Sequence, residues 1–250
     1  MPTANVYIDY QWLKTKVTCL VASLVFTVIP TNSHSDAGEW KELDRGLYVI
    51  DFLIDKAQGN NNDPAKITVL KINPANYKFT LLSAAQLNEQ PMSAKQWAQK
   101  YGLVAAFNAG MYLTDGLTSV GYMKNYGYVN NARIVKKYNS VFAFNRKSDD
   151  MPQVQIIDLV CQDFDRLKDK YETLIQNIRM ISCDRQNVWK DQRDISSILA
   201  LAMDNEGNVL VIFAEAYYNA HDLIDELLVL PLSIEKAMYL EGGREAMLYV

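Results

Sequence analysis

Residues 196–213, SSILALAMDNEGNVLVIF, decide the fold class of this chain. Two apolar runs, Ser196–Met203 and Asn208–Phe213, flank the polar tetrapeptide Asp204-Asn205-Glu206-Gly207. Apolar runs of this length are typical of strands, and glycine tolerates the positive φ that a tight turn requires. The stretch therefore predicts a β-hairpin.

The chain continues from this hairpin into a helix and a further strand. Apolar residues recur at helical spacing in His221–Leu230, and Pro231 ends the pattern. Lys236–Glu241 then predicts a strand that ends at Gly242-Gly243.

Upstream segments have the period or the capping residues of regular structure. The predicted strands are Gly46–Asp55, Lys66–Ile72, Lys78–Ser83, Leu103–Asn108, Ser140–Phe144 and Val154–Asp158. The predicted helices are Ser93–Tyr101, which opens with a capping box from Ser93 to Gln96, and Asp163–Glu172. Together the elements predict a single β-rich α+β domain with a mixed sheet and few flanking helices.

Length and charge limit the organisation and the partners of the protein. The 250 residues are enough for one domain with a sizeable core. Lysine and arginine number 25 against 29 acidic residues, which gives a formal net charge of −4. Because broad nucleic-acid binding requires a cationic surface, this charge disfavours a nucleic-acid partner. A few arginines are still enough to hold one phosphate group.

The first 35 residues have the pattern of a secretory leader. Lys14 and Lys16 precede the uncharged apolar run Val17–Ile29, and small residues alternate at Ser33 and Ser35. We therefore predict a signal peptide over residues 1–35, cleaved after Ser35, and a domain over residues 40–250 that is secreted or periplasmic. The alternative is an uncleaved signal anchor, which leaves the exported domain at the membrane and is the only membrane contact expected.

Two cysteines, Cys161 and Cys183, follow the leader. In an oxidising compartment they can form a disulfide, but two buried free thiols fit the sequence equally well. The chain has only two histidines, and neither the cysteine spacing nor the acidic loops have the pattern of a zinc or calcium site. We therefore predict no metal and no other cofactor.

Two segments place polar residues and glycines at strand ends, where ligand contacts concentrate. In Phe107–Tyr112 (FNAGMY), Asn108 ends an apolar strand beside Gly110. In Tyr239–Glu245 (YLEGGRE), Glu241 ends another and is followed by two glycines, which let the backbone come close to a ligand. Each segment alone is also compatible with an ordinary turn.

The two segments, together with others in the same order, resemble the phosphodiester glycosidase family, formerly a domain of unknown function. The family includes the uncovering enzymes, which are N-acetylglucosamine-1-phosphodiester α-N-acetylglucosaminidases. The resemblance runs from about Tyr48 to Val250, and the segments upstream of the hairpin are similar to a bacterial branch. The segments that carry it are Asn108–Tyr112, Gly121–Asn125, Asn130-Asn131, Gln176–Met180, Asp184–Trp189, Ala200–Asp204 and Ala237–Gly243.

Several positions depart from the family pattern. Glu241 stands in place of an aspartate, Ala109 in place of a glycine, and Arg244-Glu245 in place of Gly-Ser. Ile198 occupies the position where the animal enzyme has an arginine. These departures bear on the substrate more than on the fold.

The resemblance implies cleavage of a sugar-1-phosphodiester, and candidate roles follow for individual residues. Glycosidases commonly use two carboxylates. Glu241 is the first candidate, and Asp204 is either its partner or a turn residue of the hairpin. His221 is a candidate for proton transfer or else a residue that caps or faces the surface of its helix.

The candidates for substrate binding are glycines, amides and arginines near these motifs. Guanidinium pairs bidentately with phosphate, although a surface arginine paired with an acid explains any one of them equally well. Arg179 is the first choice because it lies in an apolar stretch, where an unpaired charge is costly. Asn108 either bonds sugar hydroxyls or holds the backbone, and Trp189 either stacks on a sugar or packs in the core. The full set of binding candidates is Asn108, Gly110, Arg179, Arg185, Gly242, Gly243 and Arg244.

These observations predict an exported glycosidase that hydrolyses a sugar-1-phosphodiester in an envelope or extracellular glycan. The alternative is a non-catalytic glycan- or envelope-binding domain on the same fold, because fold resemblance does not fix function. A phosphodiesterase that breaks the P–O bond is a third possibility. A catalytic site of the predicted kind requires Asn108, Arg179, His221 and Glu241 to converge on one pocket.

Overall fold

The computed structural model describes residues 4–10, 36–54, 65–191 and 194–250. Within these ranges the chain forms sixteen strands and four short α-helices. The strands are β1 (Ala4–Tyr10), β2 (Asp36–Ala37), β3 (Lys41–Asp44), β4 (Leu47–Ile54), β5 (Ala65–Ile72), β6 (Tyr77–Ser83), β7 (Ala105–Asn108), β8 (Met123–Asn125), β9 (Tyr128–Asn131), β10 (Asn139–Arg146), β11 (Val154–Asp158), β12 (Tyr171–Ile181), β13 (Ser196–Asp204), β14 (Val209–Tyr218), β15 (Ile234–Gly242) and β16 (Leu248–Tyr249). The helices are α1 (Ala84–Leu87), α2 (Ala94–Tyr101), α3 (Phe164–Leu167) and α4 (Ala220–Val229), with 3₁₀ turns at Lys168–Lys170 and Gly243–Glu245.

The strands form one large and one small sheet. The large sheet runs in the order β11-β10-β12-β15-β13-β14-β5-β4-β2, and β3, β8 and β9 pair at its sides. The small sheet runs in the order β16-β7-β1-β6. Within the described ranges every strand pair is antiparallel. This confirms the predicted β-rich α+β domain with few helices.

Apolar faces stack these elements into layers. Phe79 and Phe107 of the small sheet pack against Leu199 and other apolar residues on one face of the large sheet. The opposite face of the large sheet is covered by α4, which contributes Leu223. Trp97 of α2 packs on the outer face of the small sheet. Each sheet is thus apolar on the faces that other elements cover, as a layered domain requires.

The hairpin predicted at residues 196–213 is formed by β13 and β14. Met203 pairs with Val209 at its closed end, and Gly207 has a φ of +81°. The predicted helix at Ser93 is also confirmed, since Ser93 and Gln96 make both bonds of a capping box. These segments were predictable because the deciding signals, turn glycine and capping pair, lie within a few residues of each other.

The segment from Asp163 differs from its predicted helix. Only α3 is α-helical, a 3₁₀ turn follows, and the chain is extended from Tyr171 onward. Tyr171 is fully buried and its hydroxyl donates to the carbonyl of Pro152 at 2.9 Å. This tertiary contact outweighs the helical spacing of the charged residues before it.

Strand β1 completes the middle of the small sheet, although the sequence assigned its residues to the leader. It pairs with β6 on one side and β7 on the other, and Val6, Tyr7 and Ile8 are buried. The apolar run Val17–Ile29 lies outside the described residues, so the signal peptide stays a prediction. Cleavage after Ser35 would break the covalent link between β1 and the sheet that it completes. None of the described helices is long and apolar enough to cross a bilayer.

Cys161 and Cys183 are joined by a disulfide. It ties the segment after β11 to the segment after β12. Of the two alternatives that the sequence left open, the structure therefore has the bridged one.

Candidate active site

Glu241 lies near the end of β15, at one end of the large sheet. It is opposite Leu199 of β13, next to a register shift in the pairing of the two strands. Burial raises the pKa of its carboxyl to about 7. A hydrogen bond from the N–H of Gly242 to Oε1, at 3.1 Å, offsets part of this shift, and the nearby charge of Glu245 adds to it. Glu241 is thus a carboxyl group that titrates near neutral pH, which suits a proton-transfer role.

The two glycines after Glu241 are required by the packing of the protein itself. A Cβ on Gly242 would overlap the hydroxyl of Tyr239, and Gly243 has a φ of +65°, which disfavours other residues. The hydroxyl of Ser197 donates to the carbonyl of Gly243 at 2.6 Å. The glycine pair therefore lets the backbone turn closely around Tyr239 and holds the segment beside Glu241.

Asn108 fixes the segment that follows the glycines. Its Nδ2 donates to the carbonyl of Glu245 at 3.0 Å, and its Oδ1 accepts from the N–H of Met247 at 2.7 Å. The side chain is fully buried. Of its two predicted roles, the structure shows the backbone-holding one, which brings the end of β7 next to the C-terminal segment.

Gly110 has a similar packing role on the other side of β7. A Cβ at this position would overlap Oδ1 of the buried Asn177, whose Nδ2 donates to the carbonyl of Ala109 at 2.8 Å. Asn177 belongs to β12 of the large sheet. The two motifs that the sequence singled out, around Asn108 and Glu241, are thus joined by amide side chains, although neither Asn108 nor Gly110 is free to bind substrate as predicted.

Asp204 and Glu241 lie at opposite ends of the large sheet. Asp204 of β13 pairs with Ile234 at the start of β15. Glu241, near the end of β15, pairs with Leu199, which precedes Asp204 by five residues in β13. At ~3.3 Å per residue the two levels are roughly 16 Å apart, beyond the ~5–9.5 Å that separates paired glycosidase carboxylates. Asp204 instead accepts hydrogen bonds from the N–H groups of Glu206 and Asn208. The prediction that it partners Glu241 is therefore corrected: Asp204 holds the hairpin turn.

Arg179 is occupied by a buried acid. Its Nη1 donates to both carboxylate oxygens of Asp158 at 2.8 Å, and the Asp158 side chain is 1% exposed. The guanidinium satisfies a buried charge, which explains why an arginine is tolerated in an apolar stretch. It therefore does not hold a phosphate through these atoms, contrary to the prediction.

His221 belongs to the first turn of α4. Its Nδ1 lies 3.5 Å from Oδ2 of Asp225 and 3.6 Å from Oδ1 of Asp222, which are ion-pair distances for a protonated imidazole. Its carbonyl accepts from Nδ2 of Asn187 at 3.0 Å. None of these contacts reaches Glu241. Arg185 and Arg244 are exposed, the former in a tight turn with a φ of +57°.

The four residues expected to converge are therefore divided. Asn108 and Glu241 belong to adjoining segments, but Arg179 is bound to Asp158 and His221 faces two aspartates of α4. A site built on all four does not form.

A cleft of about 400 Å³ lies beside β12. We call it the Trp189 cleft; its lining residues are Lys137, Tyr138, Asn139, Ile178, Arg179, Val188, Trp189 and Lys190. The ring of Trp189 packs on that of Tyr239 with centroids 5.4 Å apart. Burial, with a smaller contribution from the charge of Glu241, raises the pKa of Tyr239 to about 12. By strand pairing, Tyr239 lies on the face of the large sheet that α4 covers, whereas Glu241 pairs with Leu199 on the face that the small sheet covers.

Backbone contacts bring the walls of this cleft together. The N–H of Arg179 donates to the carbonyl of Tyr138 at 2.7 Å, and the N–H of Val188 donates to the carbonyl of Met180 at 3.1 Å. Asn187 accepts from the N–H of Trp189 at 3.0 Å and donates to Asp225 of α4 at 2.7 Å. Segments far apart in the chain are therefore held alongside β12.

Comparison with known proteins identifies the family. The family model for phosphodiester glycosidases matches residues 101–250, three fifths of the chain. The chain belongs to the phosphodiester glycosidase family. The match includes Asn108, Glu241 and all the residues of the Trp189 cleft, and it confirms the resemblance that the motifs indicated.

Solved structures share the fold of this phosphodiester glycosidase family member at low identity. The catalytic domain of zebrafish N-acetylglucosamine-1-phosphodiester α-N-acetylglucosaminidase, auto-inhibited by its pro-peptide, is 13% identical with a TM-score of 0.56, over 87% of this chain and 78% of that one. A hypothetical protein from Synechocystis is 11% identical with a TM-score of 0.62, over 86% of this chain and 60% of that one. No curated protein sequence matches the chain.

Sequence reasoning did not single out Lys137, Tyr138 and Lys190, which line the Trp189 cleft of this phosphodiester glycosidase family member. They belong to no motif, and their proximity depends on the backbone bond between Arg179 and Tyr138. Trp189 was the only lining residue besides Arg179 that the sequence singled out. The sequence signal that was available for this cleft is Trp189 itself, which lies between a polar turn and Lys190.

Proposed function

We propose that the protein hydrolyses a sugar-1-phosphodiester at the glycosidic C–O bond, with Glu241 as the general base. The observation that carries the proposal is the partly buried carboxyl of Glu241, whose pKa burial raises to about 7, in the signature segment of a phosphodiester glycosidase. A base with a pKa near ambient pH combines a useful ionised fraction with strong proton affinity.

The reaction suits a site with one such carboxylate. A phosphate ester departs as an anion without prior protonation, so water activation is the more demanding step. Glu241 takes a proton from water, the water oxygen bonds to the anomeric carbon, and the C–O electron pair leaves with the phosphate. The products are the free sugar and a phosphomonoester. The distance of Asp204 from Glu241 therefore does not prevent this chemistry.

The substrate we propose is an N-acetylglucosamine-1-phosphodiester or a closely related glycan in the cell envelope or outside the cell. The choice of sugar is supported by the zebrafish enzyme that shares the fold, which is named as an N-acetylglucosamine-1-phosphodiester α-N-acetylglucosaminidase. The support for export is the pattern of Lys14, Lys16 and Val17–Ile29.

The proposal is tested by free-sugar release from a panel of α-linked sugar-1-phosphodiesters. Wild type should release sugar, and Glu241→Gln should lose at least about a hundredfold in kcat/KM, as expected for loss of a proton-transfer group. Glu235→Gln is the matched control, because Glu235 is an exposed residue at the other end of β15. The control should retain wild-type activity.

A non-catalytic glycan-binding domain is the second candidate. It is favoured by the division of the four predicted site residues, since Arg179 and Asn108 are engaged within the protein. No release from any member of the panel by folded wild-type protein that still binds the glycan would support it.

A further inference from the structure

The Trp189 cleft carries an excess of positive charge. Three of its eight lining residues are cationic and none is acidic. Asp158 neutralises Arg179 from below, but in the described part of the chain no carboxylate lies within ion-pair distance of Lys137 or Lys190. Two exposed lysines without acidic partners attract anions.

An aromatic wall adjoins these cations. Trp189 is partly exposed, and Tyr239 supports it from one side at 5.4 Å between ring centroids. The hydrogen bond of its N–H to Asn187 fixes the backbone that carries it. A supported indole ring offers a flat apolar surface with little loss of side-chain freedom on binding, which suits a sugar ring.

Tyr239 connects this aromatic wall to the segment that carries Glu241. The hydroxyl of Tyr239 sits over Gly242, the residue after Glu241.

We infer that the Trp189 cleft binds a phosphorylated sugar, with the phosphate held by Lys137 and Lys190 and the sugar ring on Trp189. The choice of N-acetylglucosamine as the sugar rests on the proposed function. The binding itself does not, because it follows from the charge and shape of the cleft.

Binding is tested directly on the full chain by the quenching of tryptophan fluorescence. The probes are N-acetylglucosamine 1-phosphate, N-acetylglucosamine and inorganic phosphate. We expect the sugar phosphate to bind more tightly than either fragment, and its affinity to fall with added salt. The double variant Lys137→Ala/Lys190→Ala should weaken it at least about tenfold, since two charge-assisted contacts are lost.

The matched control is Lys41→Ala/Lys95→Ala, which removes the same charge from exposed positions outside the cleft. It should bind the sugar phosphate as wild type does. Equal affinity of wild type and Lys137→Ala/Lys190→Ala, or equal affinity for N-acetylglucosamine with and without phosphate, would overturn the inference.

Activity separates this inference from the proposed function. Sugar-phosphate binding that depends on the two lysines, without any turnover, would leave the cleft in place and remove the glycosidase. Turnover that depends on Glu241, without sugar-phosphate binding that depends on the two lysines, would remove the cleft and leave the glycosidase.

Discussion

Glu241 is held in a position that favours its neutral form. The unfolded chain has the ordinary carboxyl pKa of 4.5, whereas burial raises the folded pKa to about 7. The folded protein therefore binds this proton more tightly than the unfolded chain, and its stability falls as pH rises from about 4.5 to about 7. Such a loss of folding stability near neutral pH is common where a carboxyl is placed for proton transfer.

Glu241→Gln should remove this cost, because glutamine carries no charge. We expect the variant to melt about 5 °C above wild type at pH 8, with the difference shrinking to nothing below the ordinary carboxyl pKa. Thermal melts of both proteins across this pH range measure it. Glu235→Gln should show no such pH-dependent gain, and a Glu241→Gln variant no more stable than wild type at pH 8 would contradict the burial argument.

The same pKa sets the direction of the pH–rate profile. A general base acts when ionised, so kcat/KM should rise with pH and reach half of its plateau at about 7. Initial rates of sugar release between pH 5 and 9, as a broad working range, measure this profile. A rate that instead falls as pH rises through neutrality would make Glu241 the acid that protonates the leaving group.

Single residues differ in how far the sequence predicts their roles. Glu241 could be found because its signature is local, a strand end followed by two glycines. Asp204 and Arg179 were misassigned because each residue type also has a structural role: an aspartate holds a turn, and an arginine pairs with a buried acid. Only the observed bonding partners distinguish the structural role from a functional one. Lys137 carries no sequence signal at all.

Among the elements, β1 joins two strands that are distant from it in sequence. It pairs with β6 over seven residues and with β7 over four. Its central residues are buried between the sheets and α2, so removing it would expose the edges of both neighbours.

Deletion of residues 1–10 should therefore destabilise the fold strongly or leave the protein insoluble. Circular dichroism and thermal melts of the truncated chain measure this. Addition of a synthetic peptide with the sequence of residues 1–10 should recover part of the lost stability, because the strand is held by pairing and burial. A truncated protein that melts at the wild-type temperature would show that β1 does not contribute to the sheet.

Elements marked by local sequence signals were predicted correctly, whereas strands that depend on distant pairing partners were missed. The hairpin β13–β14 and helix α2 were found from a turn glycine and a capping box. Strand β12 was not predicted as a strand, because its polar residues Gln176 and Asn177 are buried on internal partners and remove the alternation expected of a half-buried strand. Strand β1 was hidden because a leader pattern follows it directly.

For the whole molecule, the disulfide between Cys161 and Cys183 links two segments near the Trp189 cleft. It closes a loop with a sequence separation of 22 residues. In the chain-entropy model a loop of this size contributes about 3 kcal/mol to stability. The bridge also precedes the segment that carries Trp189 and Lys190.

Reduction should therefore lower the free energy of unfolding by about 3 kcal/mol, measured by urea denaturation with and without a thiol reductant. The double variant Cys161→Ala/Cys183→Ala should have the stability of the reduced protein and be insensitive to the reductant. Equal stability of oxidised and reduced wild type would contradict a stabilising role for the bridge.

The central claim is that the protein breaks the glycosidic C–O bond rather than the P–O bond. Hydrolysis in ¹⁸O-labelled water, followed by ³¹P NMR of the released phosphomonoester, tests it most directly. C–O cleavage places the water oxygen on the sugar, so we expect an unlabelled phosphate and no isotope shift. An ¹⁸O label on the phosphate would contradict the claim and identify a phosphodiesterase.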